Sequence, residues 1–143
     1  DDPQTNFIAQ NIDADVSYFG VSTELMKEKV ASHDVDSLYC PKCGKKLIFT
    51  KYSFSHLGDY KCSSCDFARR DVITFTNYFN KIPLKGLYNR YNINASLLTV
   101  NQAFSIPIDI GIESLKNFVP AFGRQEQIYY RERNIYSPYK RRR

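Results

Sequence analysis

Four cysteines lying between residues 40 and 65 are the side chains whose type and spacing most plainly carry chemistry. Cys40 and Cys43 are separated by two residues, Cys62 and Cys65 repeat that separation, and eighteen residues lie between the pairs. This is the spacing of a zinc site. Two thiolates three positions apart on a tight turn point at one ion, and a second such turn, returned by a hairpin, completes a tetrahedron with bonds of about 2.3 Å. Four protein ligands leave no open position, so the ion would hold structure together and carry no reactive water. Two disulfides, a CxxC redox pair and an iron–sulfur cluster compete with this reading. A redox pair explains one CxxC and leaves its duplicate unexplained, and a cytoplasmic setting disfavours disulfides. Iron or cobalt fits four thiolates as zinc does, so spacing alone leaves the ion open. Neither His56, at the tip of the intervening segment, nor His33 is expected among the ligands.

The elements that must position the cysteines can be read from pattern. Between the pairs, "KLIFTKYSFSHLGDYK" is rich in aromatic and β-branched residues and reads as a hairpin with "HLGD" as its turn. Pro41 and Gly44 suit a knuckle turn. Upstream, "VSYFGVS" has strand composition and "TELMKEKVASHDVDS" an irregular one. Downstream, "RDVITFTNYFNKIPL" is β-rich, with Pro83 limiting its use as a central strand and Gly86 marking a break. From Leu87 the period changes to that of a helix ending near Phe104, with Leu87, Tyr91, Ala95, Leu98 and Phe104 near one face. A second helix is expected over "PIDIGIESLKNFV", capped by Asp109, with Ile112, Leu115 and Val119 on one side and Pro120 past its end. Gly111 weakens its first turn.

The net charge of +5 has a local origin, because the last thirteen residues hold six bases and one acid. Residues 1–130 balance at 14 bases and 14 acids, which gives no electrostatic footprint for a phosphate backbone outside the tail. Nucleic acid is therefore an unlikely partner. A zinc-ribbon module that binds nucleic acid or protein through the basic tail is the alternative function. No apolar run is long enough for a membrane span, and the N-terminal residues have no signal-peptide pattern, so a cytoplasmic location is expected.

Four separated stretches fall into a known order: "DDP" at Asp1 to Pro3, the four-cysteine insert with "SHLGDYKC", "GLYNRYNINAS" at Gly86 to Ser96, and "AFGRQE" at Ala121 to Glu126. In this order the chain resembles the central domain of the Mur ligase family, in the branch that carries a zinc ribbon and amidates lipid II. The resemblance implies an ATP- and Mg2+-dependent ligase. It would activate the α-carboxylate of D-glutamate in lipid II as an acyl phosphate, and ammonia from a GatD-like glutamine amidotransferase subunit would convert it to D-isoglutamine. It also implies that Asn89 and Asn92 meet adenine, that Arg124 reaches the nucleotide, and that Asp1 and Asp2 lie towards it. The residue types suit those roles. Asn89 and Asn92 share a helix face, and a carboxamide matches the donor and acceptor of adenine. Arg124 offers a fixed fork of donors to phosphate or ribose, and Asp2 can accept from ribose hydroxyls. Each has a plainer reading: a helix cap for Asn89, a solvated Asn92, a loop arginine, and an Asp-Pro turn.

The implied fold is α/β, a partial Mur ligase-like central domain with an incomplete parallel sheet and a helix pair, interrupted by a β-rich zinc ribbon. Residues 1–35 would form its first piece, 36–70 the ribbon, 71–127 its continuation with the nucleotide-side helices, and 128–143 a flexible basic tail. The sequence contains no GTNGKT phosphate-binding loop. The expectation is accordingly a ligase segment with no catalytic residue of its own, inactive alone, whose ribbon and helix pair are better ordered than any remaining sheet.

Overall fold

A computed structural model describes residues 1–28, 38–119, 126–130 and 133–137. Arg124, His33, Pro120 and the terminal residues 138–143 lie outside the described residues. The chain opens with helix α1, Pro3–Ala9. Its start follows directly from the sequence: Pro3 occupies the first turn, where a missing N–H costs nothing, and Asp2 caps it by accepting from the Gln4 N–H at 2.9 Å. Strands β1, Leu47–Phe54, and β2, Leu57–Cys62, form an antiparallel hairpin. Helices α2, Leu87–Phe104, and α3, Ile108–Lys116, follow, and strands β3, Glu126–Tyr130, and β4, Arg133–Ser137, pair antiparallel near the end. That last hairpin occupies part of the stretch read from sequence as a flexible tail.

Helix α2 has the bounds its period predicts, but its buried face is Ile93, Asn94, Leu97 and Leu98. Phe104, expected on that face, is 70% exposed. Helix α3 begins after Pro107 with no side-chain cap; Asp109, expected as the cap, lies in its first turn. Gly111, read as a weak point, is where α3 meets α2: a Cβ there would stand 2.7 Å from Leu97 Cδ2. Ile112 is buried beside it, whereas Val119 is 82% exposed beyond the helix end.

The expected parallel sheet is not found among the described residues. Both sheets are two-stranded and antiparallel, and the single parallel contact is the bridge between Phe19 and Ile73. Backbone donors beside that bridge are diverted to side chains, which is why it does not extend into a ladder. The Val21 N–H goes to the Asp1 carboxylate at 3.0 Å and the Phe75 N–H to Asn94 Oδ1 at 2.9 Å. Beyond Phe75 the chain turns into a 3₁₀ helix, Thr76–Lys81, in place of the expected strand. The result is a mixed structure of helices and small antiparallel sheets.

Two apolar cores form. One lies under the ribbon and contains Cys40, Leu47, Tyr60, Cys62 and Phe67, with Phe7 of α1 packed against it. The other joins Phe79 and Ile82 to Ile93, Leu97 and Ile112 of the helix pair. A polar hub connects them. The Asp1 carboxylate, fully buried, pairs with Arg69 at 2.7 Å, while Arg69 also donates to the Val21 carbonyl at 2.9 Å. Tyr91 of α2 donates its hydroxyl to Asp1 and also meets Ser53 of β1.

Removing one member of a buried ion pair strands the other charge, at a cost of about 3–5 kcal/mol. Urea unfolding of Arg69→Met should show a loss of that size, with part of it recovered in the Asp1→Asn/Arg69→Met double variant. A loss equal to that of an exposed arginine would remove the pair from its central place.

Candidate metal centre and adjoining cavity

The two cysteine turns are built alike. Cys40 donates its N–H to the Lys45 carbonyl and Cys62 donates its own to Phe67, both at 2.7 Å. Tyr39 bridges Lys46, and Lys61 bridges Ala68, closing each turn at the same offset from its first cysteine. In the first turn Gly44 sits at φ 72° and donates to the Cys40 carbonyl at 2.8 Å, a conformation that suits glycine. Each pair of thiols therefore projects from a rigid two-ended loop, and the β1–β2 hairpin carries the second loop back to the first.

The sulfur atoms converge. Cys40 Sγ lies 3.7 Å from Cys65 Sγ, Cys43 Sγ lies 3.5 Å from Cys62 Sγ, and all four lie within 4.8 Å of one another. A tetrahedral ion with metal–sulfur bonds of about 2.3 Å has sulfur–sulfur edges of about 3.8 Å. The cluster fits such an ion, with four thiol ligands and no further position for a substrate. Burial pushes the Cys40 thiol up. At Cys62 burial acts in the same direction, but the N–H groups of Ser64 and Cys65 and the facing thiols outweigh it and bring the group down to about 6. Backbone N–H groups aimed at sulfur favour the thiolate, the form that ligates. Lys42 and Asp66 pair across the two turns at 2.6 Å, but both are exposed, so the pair adds little.

The hairpin turn is Ser55–His56, two residues before the expected "HLGD" centre. Gly58 lies instead within β2, opposite a register shift in β1, where a Cβ would stand 2.3 Å from the Lys51 carbonyl oxygen. Its glycine serves a close backbone approach, and its N–H reaches the Asp1 carbonyl at 3.0 Å. His56 is away from the thiols, as expected, and lies 4.0 Å from Asp2.

This turn forms one wall of a cavity of about 450 Å³ whose other walls come from α1, the segment around Phe19 and the first half of α2. Asp2 and Asn92 both line it. Asn92 has no hydrogen-bond partner among the described residues, whereas Asp2 is occupied in part by capping α1 and by the Thr5 hydroxyl at 2.5 Å. Asn89 is not on the lining: its carboxamide donates to the Lys85 carbonyl at 2.7 Å and ties down the approach to the helix. Tyr88, Tyr91, Asn92 and Ala95 form the cavity face of α2, and Asn89 falls beside it.

Several residues that organise this region were not legible as such. Asn94 is fully buried, donating to the Gly20 carbonyl at 2.5 Å and accepting from Phe75. The helical period singles out Leu87, Tyr91, Ala95, Leu98 and Phe104, and not Asn94, for the packed face. Asn6, also buried, donates to the Tyr60 hydroxyl at 2.8 Å and to the Ala68 carbonyl at 2.9 Å. Asp1, expected towards a nucleotide, also lines the cavity, with its carboxylate enclosed by Arg69, Val21 and Tyr91.

Comparison with known proteins gives a distant likeness that runs through most of the chain. A subunit of lipid II isoglutaminyl synthase (glutamine-hydrolyzing), MurT of Streptococcus pneumoniae, is 26% identical over 141 residues, covering 86% of this chain. The chain spans about a third (31%) of the length of that relative. No protein-family model matches, and no solved structure matches. Among the described residues no helix is long and apolar enough to cross a membrane.

Metal removal tests the centre directly. Native mass spectrometry should find one divalent ion per chain, and Cys43→Ser should lower its retention by an order of magnitude or more. Protons compete with the ion for the thiolates, so acidification should release it and a rise in pH should not. Unchanged retention in Cys43→Ser would remove that thiol from the ligand set.

Proposed function

We propose that the chain is a segment of an ATP-dependent carbon–nitrogen ligase of the Mur type, working in cytoplasmic peptidoglycan synthesis. In this reading the complete enzyme amidates the α-carboxylate of D-glutamate in lipid II to D-isoglutamine, with Mg2+ and a GatD-like glutamine amidotransferase subunit as the source of ammonia. The observation that carries the proposal is the likeness to MurT running through the chain. The four-thiol cluster and the meeting of Asp2 and Asn92 at one cavity support it.

In this reading the ion is zinc and its role is structural, since the cysteines saturate its tetrahedron. The nucleotide lies in the cavity beside α2, with Asn92 meeting the adenine edge. Asn89 contributes by fixing the first turn of the helix, because its amide is already committed to Lys85. Arg124, outside the described residues, is assigned in this reading to reach the nucleotide at phosphate or ribose, as the resemblance implies. In this reading the phosphate-cradling loop and the transfer chemistry come from other parts of the complete enzyme, and the described residues contribute binding.

Isothermal titration with Mg-ATP tests the assignment. The chain alone should bind weakly, and affinity should rise when a segment bearing the phosphate-binding loop of a Mur-type ligase is added. Asn92→Ala should then cost about 1–3 kcal/mol, the worth of a paired carboxamide–adenine contact. Undiminished affinity in that variant would overturn the adenine assignment.

A further inference from the structure

The cavity contains a polar group contributed by the ribbon itself. Ser55 and His56 form the β1–β2 turn, with Ser55 at φ 53°, uncommon for a residue with a side chain. The Ser55 hydroxyl lies 3.1 Å from His56 Nδ1. That contact orients the ring so that Nε2 faces Asp2 Oδ1 across 4.0 Å. The gap is too wide for a direct hydrogen bond and suits polar atoms placed between the two groups. Both side chains remain reachable, at 36% exposure for His56 and 27% for Asp2. Asp2 donates nothing. Each of its carboxylate oxygens accepts one local hydrogen bond and keeps capacity for another.

The surrounding walls suit a flat ring. Phe54 at the ribbon tip and Tyr88 on α2 are more than half exposed, at 53% and 56%, and both line the cavity. An aromatic face attracts any planar heterocycle by stacking. The carboxamide of Asn92, exposed to solvent, lines the same space. A ring system able to stack, an edge for a carboxamide, and adjacent hydroxyls able to reach a carboxylate and an imidazole together describe a nucleoside.

We propose that His56, carried on the turn of the metal ribbon, and Asp2 hold the vicinal diol of the nucleoside whose base meets Asn92. This rests on the nucleotide reading above and extends it: the ribbon makes a direct ligand contact as well as bracing its neighbours. The metal then acts on ligand binding through the placement of one imidazole.

Adenosine and 2′,3′-dideoxyadenosine are the probes, since neither carries a phosphate and neither needs a phosphate-binding loop. Ligand-observed NMR on the metal-loaded full chain, at millimolar probe, reads the affinities. Adenosine should bind more tightly than the dideoxy compound to the unaltered chain, and His56→Ala should abolish that preference, weakening adenosine about tenfold, equivalent to one hydrogen bond of about 1.4 kcal/mol. His56→Gln should restore part of it, and metal content should be unchanged in both variants. If Asn92→Ala weakens adenosine while His56→Ala leaves both probes unaffected, the ribbon contact is overturned and the nucleotide reading stands. An equal loss of both probes in His56→Ala would overturn the diol assignment. No binding of either probe to the unaltered chain would overturn both readings.

Discussion

The buried pair of Asp1 and Arg69 is the constraint on which the other parts depend. A carboxylate with no solvent exposure is costly unless its charge is matched and its oxygens are satisfied. Here the match is made by residues from four separate parts of the chain. Arg69 comes from the exit of the ribbon, Val21 from the segment beside the parallel bridge, Tyr91 from α2, and Asp1 itself from the residue before the cap of α1. The same Arg69 guanidinium donates to the Val21 carbonyl, closing a ring of contacts around one residue. Gly20 is required beside it, because a Cβ there would stand 2.4 Å from Asp1 Oδ1. The chain folds around this charge because no single element could satisfy it.

The two cores stand on either side of that hub and differ in how they are made. The helix-pair core is an ordinary apolar contact of Leu, Ile and Phe side chains, brought close by Gly111. The ribbon core has fewer aliphatic residues and relies on aromatic rings: Phe67 packs edge-on against Phe7 at 6.3 Å, and Tyr60 lies 5.8 Å from Phe67. Such a small core gains from a second source of stability, and four thiolates on one ion can supply it. The aromatic layer also links the metal turns to α1, since Phe67 closes the second turn and Phe7 belongs to the helix.

Local features were the legible ones. The cysteine spacing, the hairpin between the pairs, and both bounds of α2 follow from patterns contained within twenty or so residues. The failures involve partners far apart in sequence. Nothing near Arg69 says that it will meet Asp1, 68 residues away, and nothing near Asn94 names Gly20, 74 residues away. Strand composition in "VSYFGVS" and "RDVITFTNYFNKIPL" yielded a single bridge between Phe19 and Ile73 and a 3₁₀ helix over Thr76–Lys81, and side chains took hydrogen bonds a ladder would have used. Asn89 and Asn92 show the same limit on a smaller scale. A spacing of three puts them on neighbouring rows, but only the position of the adjoining walls decides that Asn92 faces the cavity.

The thiol cluster and the cavity are joined by a short mechanical path. Cys62 ends β2, whose other end leaves the turn bearing His56. Along that strand Tyr60 is held by Asn6, and Gly58 is held by the Asp1 carbonyl, so β2 is fixed to α1 and to the residue before its cap, at two points between the thiols and the turn. From β1 the Ser53 hydroxyl reaches Tyr91, one residue before Asn92. A hairpin pinned by this polar seam along its length, and at one end by any ion its four thiols would hold, has little freedom left at its tip. The position of the cavity wall is thus set by the same contacts that enclose Asp1, and a ribbon without its ion would lose the first of the two anchors while keeping the second.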